Sequence, residues 1–282
     1  MDIQQNKAPR PTLPLSSAHD GLFLKLTDDI YCFTDKIVNI FVVGHPGQSE
    51  EWFLVDCGIS RTSSHFLSTL SEQFGDVYPP KRIILTHGHF DHVGAAYELA
   101  AHWGVYIYCH ELELPYLTGK QDYVKPDPTV EGGVVAKLSK TFPYEAIDLT
   151  PIVRALPDDQ KIPGFPEWKW IHTPGHSPGQ IALYRQKDGA LLSGDAIITV
   201  KQDSLYDVLT QSTQLQGPPR YFTTDWKAAK DSVERLSQHQ PSFIGPGHGL
   251  PMFGEEFRQG LQQLLHHFDQ YAVPDYGKYT EE

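Results

Sequence analysis

The sequence predicts one α+β domain, and three observations support that fold class. Short apolar runs separated by turn residues dominate positions 24 to 55, which is typical of an antiparallel β-meander. Farther along, segments with apolar residues at helical spacing alternate with further short apolar runs. A chain of 282 residues with 40% hydrophobic content can also bury a sizeable core. We expect a single domain over residues 21–282, preceded by a proline-containing N-terminal arm over residues 1–20.

The first predicted elements are four strands followed by a β-loop-α-β unit. The strands of the meander are Leu24–Leu26, Ile30–Phe33, Ile40–Val43 and Trp52–Val55. Apolar residues at helical spacing then predict a helix over Ser64–Phe74, and a β-branched run predicts a strand over Arg82–Leu85. A helix over Ala95–His102 and a strand over Val105–Tyr108 complete the unit.

The middle of the chain, around residues 111–167, is rich in proline and glycine and predicts an inserted excursion from the main scaffold. Strands are then predicted over Trp168–His172, Ile181–Tyr184 and Ala190–Leu192, and the last two form a hairpin. A second irregular stretch, Val200–Thr223, precedes a helix over Asp225–His239 that Thr224 can cap. A strand over Ser242–Ile244 and an amphipathic helix carrying Phe257 to Phe268 complete the prediction.

Charge and composition exclude several classes of partner. The chain has a formal net charge of −12 and no lysine or arginine cluster that could follow a phosphate backbone, so we expect no nucleic acid partner. No segment approaches the roughly 20 apolar residues that a membrane span requires. The three cysteines are odd in number and widely spaced, which fits neither a disulfide framework nor a thiolate metal site. We therefore expect a cytoplasmic protein that acts on a small molecule.

Three histidines and an aspartate occupy six positions directly after the predicted strand Arg82–Leu85. They are His87, His89, Asp91 and His92, in the stretch THGHFDHVG. Residues two apart in an extended chain point the same way, so the first three can converge, while a turn lets His92 aim differently. Four donors this close together favour a metal site over a polar loop of structural histidines.

Three further candidate ligands stand at other strand exits, where catalytic groups tend to collect. His176 lies in TPGHSPGQ, Asp195 follows the strand Ala190–Leu192, and His248 follows the strand Ser242–Ile244. The resulting five imidazoles and two carboxylates exceed the three protein ligands that one catalytic tetrahedral ion takes. Two ions that share a carboxylate would use all seven, so the sequence predicts a dinuclear centre.

These motifs resemble those of the metallo-β-lactamase-fold hydrolase superfamily, in its glyoxalase II- and lactonase-like branch. The H-x-H-x-D-H signature stands at residues 87–92, and FLVDCG resembles the family's strand-end Asp-x-Gly, here Asp56 and Gly58. The resemblance implies a four-layer αββα sandwich with the metals at the edge between two sheets. It also implies that His87, His89 and His176 bind the first ion, that Asp91, His92 and His248 bind the second, and that Asp195 bridges both. Asp56 would orient the ligand loop from outside this set.

The implied activity is metal-dependent hydrolysis. A hydroxide bridging the two metal ions would attack an ester, lactone or thioester carbonyl of a small molecule, because metal lowers the pKa of bound water to about 7. One ion would stabilise the developing oxyanion, and Asp91 would hold or accept the hydroxide proton. Imidazole and carboxylate ligands suit zinc, which we expect, and are also compatible with iron or manganese.

Several alternatives stay open at this point. A mononuclear iron dioxygenase acting on persulfides has a similar scaffold and keeps the H-x-H-x-D-H run. A β-lactamase of the thiolate-using subgroup would carry cysteine where Asp195 stands, and acyl-homoserine lactonases carry a tyrosine where Ile198 stands. A metal-dependent binding module without activity is disfavoured by the intact ligand set.

Substrate walls are expected to come from the irregular stretches rather than from the ligand loops. Five aromatic residues there are candidates for lining a pocket: Tyr116, Tyr123, Phe142, Tyr206 and Tyr221. The N-terminal arm is also compatible with covering a neighbouring subunit, which makes a homodimer a candidate assembly.

Overall fold

The apolar runs of the first half pair into one seven-stranded sheet in the computed structural model, which describes residues 16–131, 133–201 and 213–280. In spatial order its strands are β1 (Phe23–Lys25), β2 (Ile30–Asp35), β3 (Val38–Gly44), β4 (Trp52–Val55), β5 (Arg82–Ile84), β6 (Ile107–Cys109) and β7 (Val153–Ala155). Strands β1 to β4 form the predicted antiparallel meander, and β4 to β7 run parallel. The parallel strands β4 and β5 end side by side, so the residues that follow them meet at one edge of the sheet.

The second half contributes a six-stranded sheet and a small hairpin. The sheet contains β8 (Lys161–Ile162), β9 (Phe165–His172), β10 (Ile181–Arg185), β11 (Ala190–Gly194), β14 (Phe243–Pro246) and β15 (Met252–Phe253). Their spatial order is β15-β14-β11-β10-β9-β8, and the neighbouring strands β11 and β14 run parallel. The hairpin pairs β12 (Ile198–Val200) with β13 (Thr213–Gln216).

Helices cover the outer face of each sheet. The α-helices within the described ranges are α1 (Ser63–Phe74), α2 (Phe90–Val93), α3 (Ala96–Trp103), α4 (Leu114–Leu117), α5 (Gly133–Leu138), α6 (Trp226–Gln238), α7 (Gly254–His266) and α8 (Phe268–Tyr271). Two short 3-10 helices span Glu111–Glu113 and Ser139–Thr141. No helix in these ranges is long and apolar enough to cross a bilayer.

Three apolar clusters define the layers. The central one lies between the sheets, where Phe41 and Phe53 of the first sheet pack with Trp168 and Leu183 of the second. A second cluster packs α1 and α3 on the outer face of the first sheet. The third packs α6 and α7 on the outer face of the second sheet. The predicted four-layer αββα sandwich is therefore confirmed.

Local differences from the prediction have simple causes. The excursion over residues 111–167 contains β7 and β8, which extend one edge of each sheet, and strands of two or three residues are too short to show a period. Helix α6 is capped by Asp225, whose Oδ1 accepts a hydrogen bond from Ala228 N at 2.8 Å, so the prediction of Thr224 as the cap was wrong. Most of the N-terminal arm and Tyr206 lie outside the described residues.

Candidate metal centre

The seven predicted ligands converge at one edge between the two sheets. His87 follows β5, Asp195 follows β11 and His248 follows β14, while His176 lies in the loop between β9 and β10. All seven side chains are buried. Their donor atoms form three groups, each with all atoms within 4.8 Å of one another: His87, His89 and His176; His87, His92 and Asp195; and Asp91, His92 and His248.

Asp195 lies between the two sides of this cluster. Its Oδ1 is 3.4 Å from His92 Nε2, and its Oδ2 is 3.4 Å from His176 Nε2 and 3.3 Å from His248 Nε2. On the far side, His248 Nε2 is also 3.4 Å from Asp91 Oδ2. A carboxylate in this position faces both groups of histidines at once.

These donors fit divalent metal ions. His87 Nε2, His92 Nε2 and Asp195 Oδ1 are buried and have no hydrogen-bond partner, although buried polar atoms are normally paired. Separations of 3.3–3.4 Å between donors are also close to the edge, about 3.3 Å, of a tetrahedron whose centre lies about 2.0–2.1 Å from each donor. Cations would satisfy these atoms, so we interpret the cluster as a metal-binding centre.

Hydrogen bonds orient four of the five imidazoles. In each, Nδ1 donates to an oxygen behind the centre: His87 to Thr86 Oγ1 (3.1 Å), His92 to Asp56 Oδ2 (2.8 Å), His176 to Thr223 Oγ1 (3.2 Å) and His248 to the carbonyl of Ile37 (2.9 Å). This arrangement directs each Nε2 toward the centre, where it can act as a ligand. His89 is turned the other way, since its Nδ1 lies 2.9 Å from His176 Nε2.

Asp56 lies behind the ligands, in the role that the resemblance implied. Its Oδ1 accepts from Thr86 N at 2.7 Å, and its Oδ2 accepts from Thr86 Oγ1 at 2.7 Å and from His92 Nδ1 at 2.8 Å. Through Thr86 it also reaches His87, because the Thr86 hydroxyl accepts from that imidazole. One carboxylate therefore orients two of the predicted ligands.

Burial and charge set the protonation of the donors. Desolvation and the neighbouring His92 hold the pKa of His87 well below its usual value, and desolvation lowers the pKa of His176 to about 4. These imidazoles are neutral at pH 7, which is the form that binds metal. Burial opposes a charged His248, but Asp195 and Asp91 outweigh it and raise its pKa to about 10. Metal binding at His248 therefore competes with protons.

Sequence reasoning missed several supporting residues. Asn39 is buried, and its Nδ2 donates to the carbonyls of Pro246 (2.9 Å) and Gly249 (2.7 Å), which holds the loop of His248. Thr223 and Glu113 also bond the ligand loops from distant positions. These contacts join residues that are far apart in the chain, so no local sequence pattern predicts them.

The aromatic candidates divide into two sets. The ring of Tyr123 lies 4.6 Å from that of His89, and Tyr116 stacks on Tyr123 at 4.0 Å. Phe142 and Tyr221 pack in a separate apolar cluster with Phe222. Phe222, which the sequence did not single out, stacks on His89 at 4.4 Å and forms an apolar wall beside it.

Comparison with known proteins agrees with this centre. The family model described as Metallo-beta-lactamase superfamily matches residues 33–248. A probable metallo-hydrolase of Bacillus subtilis (strain 168), YflN, is 41% identical over 254 residues, which cover 90% of this chain and 96% of that protein. The hydroxyacylglutathione hydrolase GloC of Haemophilus influenzae is 31% identical over 127 residues, which cover 42% of this chain and 50% of that protein.

A solved structure adds a metal-bound relative. TTHA1623 in a di-iron-bound form superposes with a TM-score of 0.52 and 26% identity, and the match covers 77% of this chain and 89% of that one. The long family match, the full-length relative and the buried donor groups agree with one another. The chain therefore belongs to the metallo-β-lactamase superfamily and is a metallo-hydrolase with histidine and aspartate metal-binding groups.

Proposed function

We propose that this chain hydrolyses an ester, lactone or thioester carbonyl of a small molecule at a centre of two divalent metal ions. The position of Asp195 carries this proposal, because its two oxygens face His176 on one side and His92 on the other, each at 3.4 Å. A carboxylate so placed can bridge two ions, whereas one ion would leave part of the donor set unused.

The proposed ligands divide between the ions as the donor groups suggest. His87, His89 and His176 would hold the first ion, Asp91, His92 and His248 the second, and Asp195 both. We propose zinc as the metal, since imidazole and carboxylate donors suit it. The same donors suit iron, and the di-iron-bound form of TTHA1623 supports iron as the second candidate.

Two bound divalent ions would supply Lewis acidity and a hydroxide nucleophile at neutral pH. Asp91 is the proposed proton acceptor. Burial raises the pKa of its carboxyl group, but His92 and His248 outweigh burial and hold that pKa below its ordinary value. Asp91 is therefore ionised at pH 7 and can hold a proton at a carboxylate oxygen.

The described serine and cysteine side chains near the centre do not favour a covalent mechanism. Ser177 Oγ donates to Glu113 Oε1 at 2.9 Å, and Ser193 Oγ donates to the carbonyl of Ile197 at 2.7 Å. All three cysteines are buried, and burial raises the pKa of the Cys57 thiol well above its usual value. A thiol in that state is a poor nucleophile. These contacts support direct attack by water over an acyl-enzyme.

Two observations support an acyl substrate with an apolar part. GloC is named for hydroxyacylglutathione, an acyl derivative of glutathione. In this chain Phe222 stacks on His89 and offers an apolar surface next to the first group of ligands. We propose that the non-reacting part of the substrate lies on this surface.

Metal analysis and a substrate panel test the proposal. His89→Ala and Asp195→Ala should each reduce metal content from about two ions per chain to one or fewer, and should lower hydrolysis in parallel. His266→Ala, an exposed histidine on α7, serves as the matched control and should keep both. The panel contains lactones, thioesters, aryl esters, phosphodiesters and β-lactams.

The contrary outcomes are distinct. Unchanged metal content in both variants would show that the ligand set is wrong. One iron per chain with oxygen uptake on persulfides would replace hydrolysis by oxidation. Cleavage of β-lactams alone would identify an antibiotic-hydrolysing enzyme. The cytoplasmic location, the absence of nucleic acid partners and the homodimer stay predictions.

A further inference from the structure

Glu113 is a buried carboxylate that lies outside both histidine-bearing loops. It ends the 3-10 helix Glu111–Glu113, and its exposed fraction is 0%. The first ligand loop, residues 85–89, carries His87 and His89, and the second ligand loop, residues 173–180, carries His176. Glu113 is distant from both loops in sequence but contacts both in the folded chain. Burying a charge is costly unless it is fully paired, so such a residue calls for an explanation.

The hydrogen bonds of Glu113 are divided between the two loops. Its Oε2 accepts from Gly88 N of the first ligand loop at 2.9 Å, and also from the hydroxyl of Tyr123. Its Oε1 accepts from Gly179 N at 2.7 Å and from Ser177 Oγ at 2.9 Å, both in the second ligand loop. Each loop therefore presents a backbone N–H to a different carboxylate oxygen. A carboxylate offers an acceptor oxygen to each loop, whereas an amide side chain has one acceptor oxygen.

The two glycines give independent support. A Cβ at Gly88 would collide with the hydroxyl oxygen of Tyr123 and lie 3.0 Å from Leu117 Cδ2, with Glu113 Oε2 at 3.3 Å. A Cβ at Gly179 would lie 2.8 Å from Glu113 Cγ. Neither glycine is among the residues with positive φ. Close packing, rather than backbone conformation, therefore accounts for the missing side chains: Tyr123, which donates to Glu113, fills the space at Gly88, and Glu113 itself fills it at Gly179.

Glu113 is also linked to the imidazoles through Tyr123. Tyr123, which donates to Glu113, packs its ring 4.6 Å from that of His89. His89 Nδ1 in turn lies 2.9 Å from His176 Nε2, so the two loops bring these nitrogens together. We propose that Glu113 is a positioning residue that couples the two ligand loops and thereby sets the separation of His89 from His176. This inference rests on the ligand set proposed above.

Glu113→Gln tests the coupling with little change in volume. The amide keeps one acceptor oxygen, so it can bond one loop while its NH₂ group opposes the N–H of the other. We expect Zn²⁺ affinity about 10- to 100-fold weaker, measured by competition with a chromophoric chelator. We also expect the visible absorption bands of the Co²⁺-loaded protein to shift, because they report ligand geometry.

The matched control is Asp127→Asn. Asp127 is a buried carboxylate of the same excursion that accepts from Thr129 N at 2.9 Å and from Lys278 N, neither of which belongs to a ligand loop. This variant should lower thermal stability while keeping wild-type Zn²⁺ affinity and Co²⁺ spectrum. If Zn²⁺ affinity and the Co²⁺ spectrum change in Glu113→Gln but not in Asp127→Asn, the change results from lost contacts to the ligand loops. The general loss of a buried carboxylate would not explain it.

The outcomes separate this inference from the proposed function. If the wild-type chain binds no Zn²⁺, the ligand set itself is wrong. If the wild-type chain binds Zn²⁺ and Glu113→Gln matches its affinity and Co²⁺ spectrum, the role of Glu113 is overturned. Should Glu113→Gln fail to fold, Ser177→Ala removes one donor from the second ligand loop and should weaken Zn²⁺ binding about tenfold. Wild-type affinity in Ser177→Ala would then also overturn the proposal.

Discussion

The lack of a side chain at Gly247 leaves room for two of the predicted ligands. This glycine precedes His248, and a Cβ at this position would collide with Asp195 Oδ1 and lie 3.0 Å from His92 Cε1. Gly247→Ala should displace Asp195, so we expect metal affinity to fall about 10- to 100-fold, with hydrolysis falling in parallel. Elemental analysis of the purified variant, together with a Zn²⁺ titration, measures the effect.

Gly260→Ala is the control for this substitution. Gly260 lies in the middle of α7, and a Cβ there would come no closer than 3.3 Å to Leu215. The added methyl group favours the helix by up to about 1 kcal/mol, so this variant should keep its metal and its stability. Equal metal content in the two variants would contradict the packing argument at Gly247.

The histidine cluster illustrates which residue-level features the sequence can and cannot predict. The spacing of His87, His89 and His92 is local, so it was enough to identify them as donors. The nitrogen that each one presents depends on distant oxygens, such as the carbonyl of Ile37 behind His248. The reversed orientation of His89 likewise follows from its contact with His176 and not from its neighbours in the chain.

Among the elements, helix α6 depends on its first turn. The Asp225 side chain caps the helix by accepting from Ala228 N, and α6 packs on the second ligand loop, where Ser232 Oγ donates to the carbonyl of Pro174 at 2.8 Å. Asp225→Ala should lower the free energy of unfolding by about 1 kcal/mol, because one backbone donor loses its partner. Chemical denaturation measures the change.

Thr224→Ala is the comparison that decides which residue caps α6. Thr224 is exposed, and its contact with the second ligand loop is a backbone N–H to the carbonyl of Gly175 at 3.3 Å, which alanine retains. We expect the free energy of unfolding of Thr224→Ala to differ from that of the wild type by no more than about 0.5 kcal/mol. If Thr224→Ala lowered the free energy of unfolding more than Asp225→Ala, the assignment of Asp225 as the cap would be wrong.

The short edge strands mark the limit of element prediction. The meander and helices α1, α3, α6 and α7 were predicted because each repeats a period over several residues. Strands β7 and β8 have three and two residues, and each forms only by pairing with a neighbour, β6 and β9 respectively. Their sequence carries no signal, since the pairing partner supplies the conformation.

At the scale of the whole molecule, an ion pair joins the two sheets. Arg185 at the end of β10 bonds Asp29, in the turn between β1 and β2, through two hydrogen bonds of 2.6 and 2.8 Å. Partial burial raises the pKa of Asp29, but the Arg185 guanidinium outweighs it and holds that pKa well below its usual value. A carboxylate with a lowered pKa in the folded state stabilises the protein above its unfolded-state pKa.

Asp29→Asn should therefore destabilise the protein in a pH-dependent way. We expect a loss of about 1 kcal/mol at pH 7, because solvent partly screens the pair and Arg185 keeps its bonds to Asp188. The difference between wild type and variant should be full above about pH 5. It should shrink as the pH falls below about 4, where the unfolded carboxyl group takes up its proton.

Urea denaturation at several pH values checks the sign. Asp28→Asn provides the control. The Asp28 side chain is fully exposed, and its ion pair among the described residues is with Lys25, which is also exposed. That variant should differ from wild type by no more than about 0.5 kcal/mol at any pH. A difference for Asp29→Asn that grows toward acid pH would refute the proposed linkage.

Local patterns in the chain were sufficient to predict the fold class, the candidate donor residues and the family resemblance. Hydrophobic periodicity and ligand spacing each involve a few neighbouring residues. They can therefore be recognised in the sequence without knowledge of the fold. Packing decided the rest: the edge strands β7 and β8, the ligand nitrogen of each imidazole, the position of Asp195 between two histidine groups, and the contact of Glu113 with both ligand loops. These features depend on distances between segments far apart in the chain, which only the packed sheets and helices determine.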